Sequence, residues 1–386
     1  MVKTERWKNM ALLASTLIFC GMVAELALRV FWKDGQYAFR SFQSAPYLFP
    51  VKYWKAWHYA EDHVHFVKDF LDVNYTTNSY GMRGKEIDAE GARERIALLG
   101  DSYVEGYAVN DDQTIGSFLE TLLNKKYEVM NFGVSGGFGT VHEVALYHNY
   151  ARHFKPAYLV LFFVNYNDLY DNVNAVGDHL INGDLEISYP VADFEEVRSA
   201  LALQNSAAHS VQSGSSPYLF RFVSRSLRII GASFQYWWNI RTDLNQALVD
   251  VYAEPESDPV RKGWIVTRES LARLNALTHE NHARILVVSL ADAYQTDANW
   301  LKIASLRSGK GKTIDPRHPN ERLRRICADL QIPYYDMYDD VLSYIQTRRM
   351  RFPYLSYTCD RHYNKEGNSL VAKLVAQKMR AVFGIE

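Results

Sequence analysis

The chain has 386 residues, enough to bury a large core and more than one small domain needs. Its formal net charge of -1 excludes the strongly basic surface of a nucleic-acid binder, and the spacing of its three cysteines (Cys20, Cys327, Cys359) excludes a CxxC or Cys/His zinc site. Hydrophobic content of 48% is ordinary for a globular protein, whereas 14% aromatics with 26 tyrosines suits sugar-facing or interface surfaces as well as a tyrosine-rich core.

Residues 1–8 are polar and carry Lys3, Arg6 and Lys8. Residues 9–32 are largely apolar, interrupted by Glu25 and Arg29. Roughly 20 residues at 1.5 Å rise span a bilayer core, and Trp7 and Trp32 fall near the two interfaces. Glu25 and Arg29, four apart, can neutralise one another. The stretch reads as a single membrane anchor. A cleaved signal peptide is the rival, but the span is long for one and lacks a small-x-small cleavage site. Lys3, Arg6 and Lys8 are matched by Arg29, Lys33 and Arg40, so charge hardly sets orientation. The large domain that follows makes an extracytoplasmic placement the default.

Residues 33–94 read as an aromatic-rich connector, with a short strand and turns in 73–84 (VNYTTNSYGMRG) packing on the edge of the main domain. His63 and His65 form an HxH pair that reads as solvated loop histidines, since no third ligand is indicated. Cys327 and Cys359 read as unpaired unless the compartment is oxidising.

The main domain, 95–386, opens on Arg95–Gly100. Its apolar run Ile96–Leu99 has no polar alternation, as a parallel strand buried on both faces does. Helices are expected at 115–125, 141–154, 267–279, 321–330 and 369–383. Further strands are expected at 128–132, 158–164, 284–290 and 333–336. That alternation indicates a parallel sheet with right-handed crossovers. Residues 171–259 break the rhythm and read as an insertion over the mouth of the site, with a hairpin at 180–187 and a Ser/Gly-rich stretch at 206–216. Within it, 220–230 (FRFVSRSLRII) offers two readings, a membrane-facing helix or an amphipathic helix packed on the domain; the second is expected. Residues 291–319 read as a loop in which Lys302, Arg307, Lys310 and Lys312 form a solvated face.

Four blocks line up along this pattern. Gly100–Asp101–Ser102 follows the first strand, and Asn131-Phe132-Gly133-Val134-Ser135-Gly136 follows the second. Asn165-Tyr166-Asn167-Asp168 follows the third, and Asp360-Arg361-His362 precedes the last helix. In an open parallel sheet the carboxyl ends of strands are where chemistry gathers. The blocks supply a hydroxyl nucleophile, backbone and amide donors, and an acid–base pair. A serine hydroxyl is a poor nucleophile at neutral pH, so an imidazole must accept its proton, and a carboxylate fixes that imidazole's tautomer.

The order and spacing of these blocks resemble the SGNH (GDSL) hydrolase superfamily, from residue 95 to about 383. The resemblance implies a flavodoxin-like three-layer α/β/α fold around a five-stranded parallel sheet. It implies a catalytic set of Ser102 as nucleophile, His362 as base and Asp360 as its orienting carboxylate. It also implies an oxyanion hole from the Ser102 and Gly136 N–H groups and the Asn167 side chain. No metal or organic cofactor is required. The apolar N-terminus and the block Asn78–Gly84 are similar to a membrane-anchored bacterial branch. Two departures stand out: Asn165 where Gly is usual, and one residue rather than two between Asp360 and His362.

The resemblance implies an esterase acting on O-acyl, often acetyl, groups of a carbohydrate. The same acyl-enzyme could instead discharge onto a sugar hydroxyl, making an O-acyltransferase, or the fold could serve as a non-catalytic glycan-binding protein. Gly133-Val134-Ser135-Gly136-Gly137 also fits GxSxG, which offers Ser135 as a rival nucleophile. Asp101 and Asp168 are expected to hold loops through backbone hydrogen bonds. His142, His148 and His153 are expected on one helix as packing or surface residues.

Overall fold

The structure is a computed structural model. It describes residues 2–31, 63–68, 71–88, 91, 93–107, 109–176, 217–220, 222–223, 226–227, 230, 246–309, 311–350, 355–357 and 360–386. The hairpin expected at 180–187, the Ser/Gly-rich stretch, Lys310 and Cys359 lie outside the described residues.

Helix α1 (Val2–Phe31) contains an apolar stretch, Trp7–Phe31, of 25 residues. At 1.5 Å per residue that is about 37 Å, long enough to cross a bilayer core. Its large apolar side chains, among them Leu13, Leu17, Ile18 and Met22, are exposed. The hydroxyls of Ser15 and Thr16 donate to the Leu12 carbonyl at 2.9 and 2.8 Å, so the helix satisfies them internally.

Strands β1 (His63–Lys68) and β2 (Leu71–Thr76) form an antiparallel pair. His63 and His65 therefore sit in a strand rather than a loop, because the β-branched and aromatic residues around them outweigh the polarity of the imidazoles. Among the described residues no three His, Cys, Asp or Glu side chains gather as a metal site would need. Beyond β2, Thr77 bridges Arg83 and Arg83 bridges Asn131, which lays the block Asn78–Gly84 on the edge of the main sheet. The Asn78 side chain closes that turn by accepting from the Tyr80 and Met82 amides, both at 3.0 Å.

The main unit then alternates strand and helix. In chain order it runs β3 (Glu94–Gly100), α2 (Ser102–Glu105), α3 (Ile115–Leu122), β4 (Tyr127–Gly133), α4 (Thr140–Asn149), β5 (Tyr158–Phe163) and α5 (Asn165–Val176). It resumes with α6 (Gln246–Val251), β6 (Ala253–Glu254), α7 (Asp258–Glu280), β7 (Arg284–Ser289), α8 (Ala293–Thr296), α9 (Ala298–Arg307) and β8 (Thr313–Ile314). It closes with α10 (His318–Asp329), β9 (Tyr334–Asp336), α11 (Tyr338–Thr347), β10 (Ser356–Tyr357), β11 (Asp360–Tyr363) and α12 (Lys365–Phe383).

Five parallel strands make the central sheet in the order β4-β3-β5-β7-β9. Numbered along the chain, that is 2-1-3-4-5, the flavodoxin-like order. Successive side chains enter opposite layers. Ala97, Leu99, Leu161 and Val287 pack with Val144 and Tyr147 of α4, Trp264 and Leu274 of α7, and Leu323 of α10. Ile96, Leu98, Val160 and Val288 pack with Leu119 of α3, Val341 and Ile345 of α11, and Val375 and Met379 of α12. The unbroken apolar runs thus cover two faces, and the three-layer α/β/α architecture expected from the sequence is present.

Several expectations need correction. Residues 291–319 are not one loop; they hold α8, α9 and β8. Asp292 accepts from the Tyr294 and Gln295 amides, and Asp297 from those of Asn299 and Trp300, so two N-caps start two short helices. Lys312 is half-buried and paired with Asp250 at 2.7 Å rather than part of an open face, while Lys302 and Arg307 are exposed as expected. Helix α4 stops at Asn149 and His153 lies on a separate 3-10 turn, so the three histidines do not share one helix. Cys327 is a buried free thiol, pushed up to about 12 by burial.

Candidate active site

Ser102 opens α2 directly after β3. Asp101 caps that helix by accepting the Tyr103 amide at 2.9 Å, and Gly106, in the left-handed region at φ 77°, ends it. The turn packs tightly against the end of β4. A Cβ on Gly133 would lie 2.1 Å from the Glu105 backbone nitrogen, so only glycine fits there.

His362 arrives from the other end of the chain on β11. Its Nε2 lies 2.6 Å from Ser102 Oγ, 260 residues away in sequence. The imidazole packs near two aromatic rings, Tyr103 and Tyr107, with centroids 5.0 and 5.2 Å away. The Tyr103 hydroxyl donates to the Arg361 carbonyl at 2.8 Å, tying the serine turn to the histidine strand. The Asp360 backbone belongs to the same strand, two residues before His362; its side chain lies outside the described residues.

The Asn167 side chain donates from Nδ2 to Asp101 Oδ2 at 2.7 Å. Burial raises the Asp101 carboxyl above its ordinary range, against the pull of the bonds from Asn167 and the Tyr103 amide. Gly136 has φ 94°, and a Cβ built there would meet nothing within 4 Å, so its peptide borders open space. Asp168 accepts from the Val164 amide at 2.7 Å and from the Thr140 hydroxyl at 3.3 Å, the loop-holding role expected of it. Asn165, in place of the usual glycine, is fully buried and donates to Asn320 Oδ1 at 2.7 Å.

The Ser135 hydroxyl is buried with no hydrogen-bond partner among the described residues, so no base stands against it. Its amide is held by the Glu105 carboxylate. Glu105 is a residue that sequence reasoning passed over. It is fully buried, and its other oxygen accepts from the Tyr75 hydroxyl at 3.0 Å. Arg83 is the second. Its guanidinium donates to the carbonyls of Glu105, Gly106 and Val109, pairs with Asp111 at 3.0 Å, and stacks 4.1 Å from the Tyr75 ring centroid. The connector thus buttresses the serine turn from behind. The legible signal was the block Asn78–Gly84, which contains Arg83; nothing marked Glu105.

On the open side the half-buried rings of Tyr107, Tyr166 and Tyr294 gather beside the pair. The Arg361 guanidinium stacks on Tyr294 at 3.5 Å, and Tyr103 and Tyr166 bring their hydroxyls within 3.5 Å.

Fold and site together define a class: parallel-sheet α/β/α proteins in which a serine after the first strand meets a histidine before the last helix. No family model matches the sequence, and no curated protein does. Among solved structures the chain is similar to a GDSL-like lipase from Bacteroides thetaiotaomicron VPI-5482, at 12% identity over 75% of this chain and 89% of that one, with a TM-score of 0.34. It is also similar to a carbohydrate acetylesterase family member from Sinorhizobium meliloti, at 11% identity over 75% and 99%, with a TM-score of 0.35. A third similar structure is the acetyl xylan esterase AlAXEase, at 14% identity over 74% and 98%, again with a TM-score of 0.35.

Proposed function

We propose that this chain is a membrane-anchored serine esterase of the SGNH type that removes O-acyl groups, acetyl foremost, from a carbohydrate through an acyl-Ser102 intermediate. The observation that carries the reading is the 2.6 Å contact between Ser102 Oγ and His362 Nε2 at the carboxyl edge of the sheet. In the resting state the hydroxyl donates to the neutral imidazole. As Oγ attacks the ester carbonyl, its proton passes to Nε2, and the carbonyl oxygen takes up negative charge.

The N–H groups of Ser102 and Gly136 and the Asn167 amide receive that charge. One Asn167 N–H is held by Asp101 and the other is left for the oxyanion. Collapse breaks the bond to the sugar oxygen, which takes the proton from Nε2. Water then attacks the acyl-serine, with His362 accepting its proton and returning one to Oγ. Asp360 is the carboxylate assigned to orient the imidazole. The half-buried tyrosine rings and Arg361 offer flat amphipathic faces and donors to a sugar. In this reading residues 9–32 anchor the chain, 33–94 connect and brace, and 95–386 carry catalysis outside the cytoplasm, with 171–259 as an insertion.

The test is fluorophosphonate labelling of the full chain in detergent beside Ser102→Ala and Ser135→Ala, with acetate release from an acetylated oligosaccharide as the second readout. The expected result is labelling of the wild type and Ser135→Ala only. Labelling lost in Ser135→Ala alone moves the nucleophile. A wild type that neither labels nor releases acetate sinks the enzyme reading.

A further inference from the structure

Where the sequence suggested a helix packed on the domain, the described residues between 217 and 230 leave large apolar side chains exposed. The described part, 218–220, 222–223, 226–227 and 230, is helical. Phe220, Val223, Leu227 and Ile230 are three, four and three apart, the spacing of a single helical face. They are 65%, 45%, 64% and 65% exposed. Outside α1, few other large apolar side chains among the described residues are so uncovered. In the sequence, Arg221, Arg225 and Arg228 fall at alternate steps with this stripe, four and three apart.

The segment begins against α1. Glu25 of α1 accepts from the amides of Tyr218 and Leu219 at 3.0 and 2.7 Å, so a side chain of the apolar helix occupies the first turn of the amphipathic one. Arg29, paired with Glu25 at 2.8 Å, lies 5.3 Å from the Tyr218 ring centroid. Glu25 belongs to the half-buried face Gly21, Ala24, Glu25 and Leu28 of α1. The first turn of the segment thus sits on α1, close to the end of α1 from which the rest of the chain departs.

We propose that the described helical residues between 217 and 230 form a second membrane contact on the bilayer surface, with Phe220, Val223, Leu227 and Ile230 in the acyl boundary. The occupant is lipid: an apolar helical face linked to a bilayer-length helix, in a sequence that alternates it with arginine, has the pattern of an interfacial helix. The proposal rests on the reading of α1 as an anchor. It gives the insertion a function, holding the domain at a fixed height and tilt over the membrane.

The test uses the full chain carrying Cys20→Ser and Cys359→Ser, reconstituted in vesicles of phosphatidylcholine and phosphatidylglycerol. Nitroxide labels are placed singly at Leu227→Cys and Ile230→Cys, at Ile18→Cys within α1, and at Leu306→Cys on the exposed side of α9. Collision with oxygen, which favours lipid, is compared with collision with a water-soluble nickel chelate. The expected result is a lipid signature at 18, 227 and 230 and an aqueous one at 306. An aqueous signature at 227 and 230 with lipid at 18 overturns the interfacial helix and leaves the anchor standing. Shielding of 227 and 230 from both reagents overturns it in favour of a protein partner. An aqueous signature at 18 removes the anchor and this proposal with it.

Discussion

Asn167 and Asp101 are joined by an amide-to-carboxylate hydrogen bond of 2.7 Å that spans the ends of two neighbouring strands. The same carboxylate receives the Tyr103 amide, so the residue beside the serine also sets the direction of the asparagine. In the proposed role of Asn167 as an oxyanion donor, this bond aligns its amide before an ester arrives.

Asn167→Ala is therefore expected to lower kcat on an aryl acetate by about 10²–10³-fold, the usual loss for one oxyanion donor, with a much smaller change in KM. Steady-state kinetics check this. Equal kcat in variant and wild type would remove Asn167 from the oxyanion hole.

Glu105 is expected to matter for stability through the groups it satisfies. Glu105→Ala removes the carboxylate that accepts from the Ser135 amide and the Tyr75 hydroxyl, at about 1–3 kcal/mol for a buried group that loses its bond. Glu105→Gln keeps one acceptor oxygen, and its amide can donate to the Tyr75 oxygen, so it retains most of that stability. Urea unfolding of the two variants should separate them; similar midpoints would show that the carboxylate holds neither group.

Glu143 is expected to make the fold less stable as pH rises. It is fully buried, and neither carboxylate oxygen has a hydrogen-bond partner among the described residues. Burial, with Asp168 and Asp101 adding like charge, lifts it well above the ordinary range. Burial lifts Asp168 as well, but the bonds from the Val164 amide and the Thr140 hydroxyl pull it back, whereas Glu143 has no such bond among the described residues. A carboxyl raised in the folded state contributes stability below the unfolded value of about 4.3, which is lost as pH climbs toward the folded value. Glu143→Gln should therefore gain on the wild type by up to about 1.4 kcal/mol per pH unit across that window. Urea midpoints at pH 5 and pH 7 measure the gap, and a gap that does not widen contradicts the account.

Gly133→Ala is expected to damage the serine turn, since the added methyl would overlap the Glu105 backbone. Overpacking of this kind typically costs about 1–3 kcal/mol. Turnover should fall by more than the stability loss explains, because the displaced backbone follows Ser102. Fluorophosphonate labelling rates at a temperature well below unfolding check it.

Strands β3, β5 and β7 were legible because each is a short apolar run with both faces buried, as in Ile96–Leu99. The parallel order followed from the alternation of those runs with helices. What escaped was local chemistry with no periodicity. Asp292 and Asp297 each cap a short helix, yet in sequence they read as loop acids. Glu105 reads as a turn acid, and only folding reveals that Tyr75 and the Ser135 amide converge on it. The Ser102–His362 contact was foreseen through the order of four blocks, since nothing in a spacing of 260 residues implies proximity. The stripe at 220–230 was seen as amphipathic, but sequence pattern does not say whether an apolar face is covered by protein.

The strand that brings His362 forward comes after all five strands of the sheet and just ahead of the closing helix. A ribosome that has reached α11 has made Ser102 but not His362. If the proposed roles hold, the N-terminal helix can be seated in its membrane and most of the sheet assembled while the protein is still chemically silent. On those roles, the stretch from α11 to His362 acts as a safety catch, and truncation before His362 leaves the serine inert.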